Sequence, residues 1–154
     1  MSLTNIFIND FLHHINTFRG VFSANEDVPI LQDYESIIFN FSNKCEIGTH
    51  FIAIYRSNNK LMFFDPLCLF NTPNDILSFI NKHYLPVQYN RIRIQDLFSD
   101  YCGYFCIAFI LFITHHNNFD HFLDLFYTDF SKLFLNDVLV LKIIQTIISN
   151  KKMK

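Results

Sequence analysis

The fold is decided by the stretch Gln95–Ile113, whose sequence is QDLFSDYCGYFCIAFILFI. A polar segment leads into Cys102 and Gly103, and the residues that follow are apolar on every side of a helical wheel. A helix with no polar face belongs in a core, so we predict that it is buried. Cys102 then lies where a loop enters this helix, and the unpaired N–H groups and helix dipole there favour a thiolate. The position suits a nucleophilic cysteine.

Two upstream segments supply partners for such a nucleophile. His50 opens a strand-like apolar run, and Asp65 closes a second run just before Pro66. The turn residues 57–59 between the runs predict a hairpin, which brings its open ends together. His50 and Asp65 then become neighbours, close enough for a carboxylate to hold the imidazole.

Each residue also has a plain structural interpretation. Cysteine is usually a small buried hydrophobe, and a histidine at a strand start can be a satisfied core residue. Asp65 before Pro66 can simply begin a turn, and Gln95 can be a surface residue at a strand end. Cys106 is the rival nucleophile, but its position deeper in the apolar helix predicts a packed thiol with a raised pKa.

The order of these motifs resembles the adenain family of viral maturation proteases. The resemblance rests on the Gly-x-His-Phe segment at 48–51, the strand that ends in Asp65-Pro66, and Gln95 followed by Cys-Gly-x-Phe-Cys at 102–106. It covers roughly residues 18–113, looks nearest to the proteases of virophages and Polinton-type elements, and extends more distantly to the ubiquitin-like-protein-specific proteases. It implies an α+β, papain-like fold with a central buried helix on a mainly antiparallel sheet, and a single cysteine protease domain over 1–154.

The resemblance also implies a site. The expected catalytic residues are His50, Asp65, Gln95 and Cys102, with Gln95 and the Cys102 N–H as oxyanion donors. Phe51 stands where the family commonly has Trp. Gly20 also has an ordinary explanation as a glycine that needs a positive φ. The residues expected to border the substrate groove are Gly20, Gly48, Thr49, Phe51 and Gly103.

Three functions remain open from the sequence. The first is a cysteine endopeptidase that processes viral capsid or core precursors. The resemblance implies that it cuts after small residues such as Gly. The second is an isopeptidase that acts on SUMO-like or ubiquitin-like tails. The third is a catalytically silent binding module with the same fold. The expected partners are viral precursor polypeptides, and the chain is expected to be a monomer.

Composition and residue spacing give little support to a nucleic-acid partner, a membrane span or a metal site. The 154 residues carry a net charge of −2 and a pI near 6.3, so a nucleic-acid partner has little support beyond the lysines at 151, 152 and 154. No secretory signal is visible and the longest apolar run is too short to cross a bilayer, so we expect a soluble intracellular protein of the cytoplasm or virus factory, or one packaged in the virion. No cofactor is expected, although some family members use an activating peptide.

The spacing of His115, His116 and His121 does not suit a metal site. Neither Cys45 nor Cys68 matches a catalytic position.

The remaining elements follow from periodicity. We predict helices at 4–18, 72–83, 119–127 and 136–150, and strands at 36–41, 49–56 and 60–65. The alternation at 91–94 predicts a further strand, and the Gly, Asn, Asp and Pro residues within 18–29 predict a loop.

Overall fold

The computed structural model describes residues 3–42, 50–69 and 71–153. Within these ranges five strands form one sheet, flanked by helices on both faces. In chain order the elements are α1 (Asn5–Leu12), β1 (Phe18–Ser23), β2 (Ser36–Asn40), β3 (Phe51–Arg56), β4 (Leu61–Phe64), α2 (Asn74–Asn81), β5 (Val87–Tyr89), α3 (Cys102–His116), α4 (Phe119–Leu123), a short 3₁₀ turn (Phe130–Lys132) and α5 (Leu135–Lys152).

The sheet has the strand order β1-β2-β3-β4-β5. Its central pairings, β2 with β3 and β3 with β4, are antiparallel, whereas β1 pairs with β2 and β4 with β5 in parallel. The α+β fold class is therefore confirmed, but the expected antiparallel pairing is confined to the centre of the sheet. The outer strands are parallel because each is joined to its neighbour by a long crossover, residues 24–35 on one side and the segment carrying α2 on the other.

The predicted central helix is present as α3 and is buried over most of its length. It packs on one face of the sheet together with α1, α4 and α5, in a core rich in phenylalanine. The opposite face of the sheet is covered by α2 and by the segment that follows β1. No helix in the described ranges is long and apolar enough to span a membrane.

The predicted hairpin is also present. Ala53 pairs with Phe64 and Arg56 with Leu61, and the turn is closed by the Ser57 amide, which donates to the Lys60 carbonyl at 2.9 Å. The open end of this hairpin carries His50 and Asp65.

Two local predictions are wrong. The segment predicted as a loop begins with a strand, β1, which breaks its register between Phe18 and Val21 around Gly20. Gly20 has a φ of +123°, so the need for a positive φ explains this glycine. Residues 91–94 do not form a strand; the amides of Ile94 and Gln95 both turn back to the Pro66 carbonyl at 3.1 Å. The edge strand lies earlier, at β5.

Candidate active site

His50 and Asp65 form a buried pair at the open end of the hairpin. Nε2 of His50 lies 2.7 Å from Oδ1 of Asp65, and both side chains are almost fully buried. The structure therefore brings together the two residues that the hairpin was predicted to join, although the strand register would place Ile52, not His50, directly opposite Asp65. His50 reaches the carboxylate diagonally, from just before the first residue of β3.

The Asp65 carboxylate is fixed by its own loop. Its Oδ1 accepts from the Leu67 amide and its Oδ2 from the Leu69 amide, both at 3.0 Å. The side chain of Asn90 pairs with the Asp65 backbone, accepting from its N–H at 2.9 Å and donating to its carbonyl at 2.7 Å. This amide clamp extends the β4–β5 pairing by one step and holds the acid in place, a role that nothing in the sequence around Asn90 indicates.

Cys102 is the first residue of α3, as predicted. The residue before it, Tyr101, makes no side-chain capping hydrogen bond to the first turn of the helix. Amides at that point are available to an oxyanion. Cys102 itself is only 6% exposed.

The His50 ring connects the acid to the sulfur. Its second nitrogen, Nδ1, has no partner at ordinary hydrogen-bond geometry in the described part of the chain. With Nε2 occupied by Asp65, Nδ1 is the nitrogen left for the sulfur of Cys102, which is among the neighbours that raise the pKa of the ring. Loose contacts of this kind are common in unliganded sites and tighten when substrate binds.

The charge state of His50 reflects these neighbours. Burial lowers the pKa of the ring, but the hydrogen bond to Asp65 and the electrostatic influence of Asp65 and Cys102 outweigh it and raise the pKa to about 9. The imidazolium form is therefore favoured at neutral pH. Phe41 adds to the burial, since its ring packs edge-on against His50 with centroids 4.9 Å apart. Phe41 was predicted only as the end of a strand.

Gln95 lies in the loop that leads to Cys102. Its Nε2 donates to the Ser99 carbonyl at 2.8 Å, which leaves one N–H of the amide for another acceptor. Ser99 is in turn anchored to α5, because its hydroxyl donates to Asp137 at 3.0 Å, and the same hydroxyl accepts from the Tyr101 amide at 3.2 Å. The loop between the expected oxyanion donor and the nucleophile is thus braced from a distant helix.

The other cysteines differ from Cys102. Burial raises the pKa of Cys106 well above its usual value, aided by the charges of Cys102 and Asp65, which confirms the predicted packed thiol. Cys68 donates to the Asn90 carbonyl at 3.3 Å, and burial also raises its pKa. These three cysteines are free. Cys45 lies outside the described residues.

Two of the residues expected to border the groove, Phe51 and Gly103, are buried instead. Phe51 is 1% exposed and packs in the core beneath α3, so its assignment to the groove is wrong. Gly103 is also buried, because a Cβ there would lie 3.2 Å from atoms of the Leu3 side chain. The glycine makes room for the N-terminal segment, not for a substrate. Gly48 and Thr49 lie outside the described residues.

No group of three or more His, Cys, Asp or Glu in residues 3–42, 50–69 and 71–153 is arranged to hold a metal ion. The polar groups gathered around His50 are those of a hydrogen-bonded acid, an imidazole and a thiol. Such a set can activate sulfur as a nucleophile.

Comparison with known proteins supports the architecture. No protein-family model and no curated protein matches the sequence. Among solved structures the chain is similar to ChlaDub1 from Chlamydia trachomatis, with a TM-score of 0.52 and 14% identity over 75% of this chain. It also matches the central domain of the uncharacterized Lpg1148 protein from Legionella pneumophila, with a TM-score of 0.43 and 12% identity over 86% of each chain.

The likeness to ChlaDub1 shows that the two chains share an α+β fold. The chain spans 59% of the length of the ChlaDub1 chain that it matches.

Proposed function

We propose that this chain is a cysteine peptidase in which Cys102 is the nucleophile, His50 the general base and acid, and Asp65 the residue that orients and charges the imidazole. The observation that carries the proposal is the His50–Asp65 contact of 2.7 Å with Cys102 acting on the same ring, at the first residue of a buried helix. The pairing of a thiol with a carboxylate-held imidazole is the arrangement that cysteine hydrolysis needs.

The reaction would proceed in two halves. His50 already holds the proton of the Cys102–His50 pair, and the sulfur attacks the carbonyl carbon of the scissile bond as a thiolate. His50 then donates that proton to the leaving amine as the C–N bond breaks, which leaves an acyl-enzyme. A water that gives its proton to His50 attacks the thioester, and Cys102 is regenerated as the acid product leaves.

The negative oxygen of the tetrahedral intermediate needs donors that are in place beforehand. The backbone N–H of Cys102, at the uncapped start of α3, and the remaining N–H of the Gln95 amide are the proposed donors. One such donor typically contributes about 3 kcal/mol to lowering the barrier.

For the substrate we propose a polypeptide cut after a small residue such as Gly. The 6% exposure of Cys102 supports a narrow approach that admits backbone more readily than a bulky side chain. On the resemblance in the sequence, the proposed natural substrates are viral capsid or core precursors. The alternative is a ubiquitin-like or SUMO-like tail, which the structural likeness to ChlaDub1, a deubiquitinase, favours.

The test of the chemistry is a matched pair of cysteine variants. Quenched fluorescent peptides with a central Gly are incubated with wild type, Cys102→Ala and Cys106→Ala, and new termini are identified by mass spectrometry. Cleavage that disappears with Cys102→Ala and persists with Cys106→Ala supports the proposal. Equal activity in wild type and Cys102→Ala would refute it.

The substrate class is decided by a second pair of probes. Wild type is incubated separately with a ubiquitin-derived vinyl sulfone, with a SUMO-derived vinyl sulfone and with recombinant capsid precursors. Covalent labelling of Cys102 is measured for the two probes, and cleavage is measured for the precursors. Covalent labelling of Cys102 by a modifier probe, with no precursor cleaved, would favour the isopeptidase. Precursor cleavage without labelling would favour the maturation protease.

A further inference from the structure

Two consecutive residues near the start of α5, Asn136 and Asp137, hold the chain on either side of Gln95. Asn136 is fully buried, and its Nδ2 donates to the Ile94 carbonyl at 2.7 Å. Asp137 accepts from the Ser99 hydroxyl at 3.0 Å. Because Gln95 lies between Ile94 and Ser99, α5 fixes the path of the backbone both before and after the proposed oxyanion donor.

The attachment through Asn136 stabilises the fold. The same side chain also serves the backbone of Tyr127, donating to its carbonyl at 2.8 Å and accepting from its N–H at 2.9 Å. The amides of Ile94 and Gln95 both donate to the Pro66 carbonyl at 3.1 Å. Replacing Asn136 would leave several backbone groups without these partners, and such losses destabilise a protein. Loss of Asn136 would therefore affect folding before it affected the site.

The attachment through Asp137 reaches the side chain of Gln95. The Ser99 carbonyl accepts from Nε2 of Gln95 at 2.8 Å, and the hydroxyl of the same residue donates to Asp137. That hydroxyl also accepts from the amide of Tyr101 at 3.2 Å, one residue before Cys102. The carbonyl that holds the Gln95 amide is therefore fixed relative to both α5 and the start of α3.

The bond between Ser99 and Asp137 is charge-assisted. Burial raises the pKa of Asp137, the Ser99 hydroxyl lowers it, and the charges of Asp96 and Asp100 raise it. The carboxylate also lies in the first turn of α5, where the helix dipole favours a negative charge. A hydroxyl that donates to a carboxylate forms a shorter and stronger bond than it forms with a neutral acceptor, so Asp137 holds Ser99 firmly.

We propose that Ser99 and Asp137 are positioning residues of the oxyanion site, and that they act by fixing the Gln95 amide in the loop before α3. This inference rests on the proposed peptidase function, since it concerns the same site. Oxyanion donors act only when they are in place before the reaction, and a displacement of about 1 Å can lower the rate by about 100-fold. Helix α5 then contributes to the reaction through residues that do not touch the substrate.

The link between α5 and Gln95 is measured first, without turnover. NMR follows hydrogen exchange of the Gln95 side-chain amide protons in the full chain. We expect Ser99→Ala and Asp137→Ala to speed this exchange at least about fivefold, because the carbonyl that accepts from the amide loses its anchor. Asp137→Asn keeps a neutral oxygen acceptor for the hydroxyl and should speed the exchange less than Asp137→Ala. Unchanged exchange in Ser99→Ala and Asp137→Ala would overturn the proposal.

Turnover is measured next, on a short peptide that contains Gly. Ser99→Ala and Asp137→Ala should each lower kcat about tenfold and change KM by less than about twofold, because the donor acts in the transition state. Asp137→Asn should lower kcat by no more than about threefold. Asn150→Ala is the matched control, at an exposed position of the same helix, and should equal wild type. A loss confined to KM, or equal losses in Asp137→Ala and Asp137→Asn, would contradict the positioning role.

A double-mutant cycle separates positioning from a general loss of stability. In a Gln95→Ala background, Ser99→Ala and Asp137→Ala should lower kcat by less than about a further twofold, because the donor that they hold is absent. Additive losses would show that the two residues act elsewhere. If wild type shows no cleavage that depends on Cys102, the peptidase is refuted and the positioning role with it. Cleavage that Asp137→Ala leaves unchanged refutes the positioning role alone.

Discussion

Replacing Asp65 with asparagine tests the pair at the centre of the proposed site. The change keeps the shape of the side chain and one of its two oxygen acceptors, but it removes the negative charge 2.7 Å from His50. The substituted amide would retain an acceptor for one of the Leu67 and Leu69 N–H groups. We therefore expect the Asp65→Asn variant to fold.

The expected effect on His50 follows from its neighbours. The rise from 6.5 to about 9 corresponds to about 3 kcal/mol in favour of the charged ring. Burial opposes that charge, so the whole increase comes from Asp65 and Cys102. Removing the Asp65 charge should lower the His50 pKa by more than about one unit.

Proton NMR measures this directly. The His50 ring signals are followed from acid to alkaline pH in wild type and Asp65→Asn, and the same spectra report whether the variant is folded. In the proposed mechanism the alkaline limb of the pH–rate profile moves with the same pKa, toward lower pH. Asp75→Asn is the matched control, because Asp75 is an exposed acid in the first turn of α2 on the opposite face of the sheet.

The result that refutes this reasoning is specific. A His50 pKa in Asp65→Asn within about 0.3 units of wild type would show that the carboxylate does not charge the ring. An equal shift in Asp75→Asn would show a general electrostatic effect instead of the contact at His50.

The raised pKa also predicts how stability depends on pH. Between about 6.5 and about 9 the folded chain holds a proton on His50 that the unfolded chain releases, so this contribution is complete below 6.5 and is lost as the pH rises through 9. Urea denaturation should show a fall of up to about 3 kcal/mol in the free energy of unfolding over that window. In His50→Gln the fall should be smaller, and an identical fall would contradict the assignment.

Three further predictions concern the start of α3. Gln95→Ala should lower kcat by roughly 100-fold with little change in KM, measured on a Gly-containing peptide, and an unchanged kcat would remove Gln95 from the oxyanion site. Gly103→Ala should destabilise the fold by about 1–3 kcal/mol in urea denaturation, because its Cβ would lie 3.2 Å from Leu3. An unchanged free energy of unfolding would mean that the N-terminal segment shifts to make room for the methyl group. Iodoacetamide at neutral pH should alkylate Cys102 before Cys106, because full burial raises the pKa of Cys106. The order is read by mass spectrometry, and the reverse order would contradict the choice of nucleophile.

The amino-acid sequence by itself determined the features that depend on neighbouring residues. The unbroken apolar run after Cys102 requires a buried helix whichever way the rest of the chain folds, and the turn at 57–59 pairs two strands next to each other. The second feature is sufficient to bring His50 near Asp65, since a hairpin joins its own open ends. These are short-range consequences of periodicity and turn chemistry.

Contacts between distant segments were decided only by the tertiary structure. Asn90 clamps Asp65 from 25 residues away, and Asn136 on α5 holds the carbonyl of Ile94 at 2.7 Å, neither of which has a local signal. The parallel pairing of β1 with β2, and of β4 with β5, depends likewise on crossovers that no turn motif specifies. Gly103 matches a motif, yet its neighbour is Leu3, at the other end of the chain. Periodicity shows that a residue is buried, but only the packed fold determines which residue buries it.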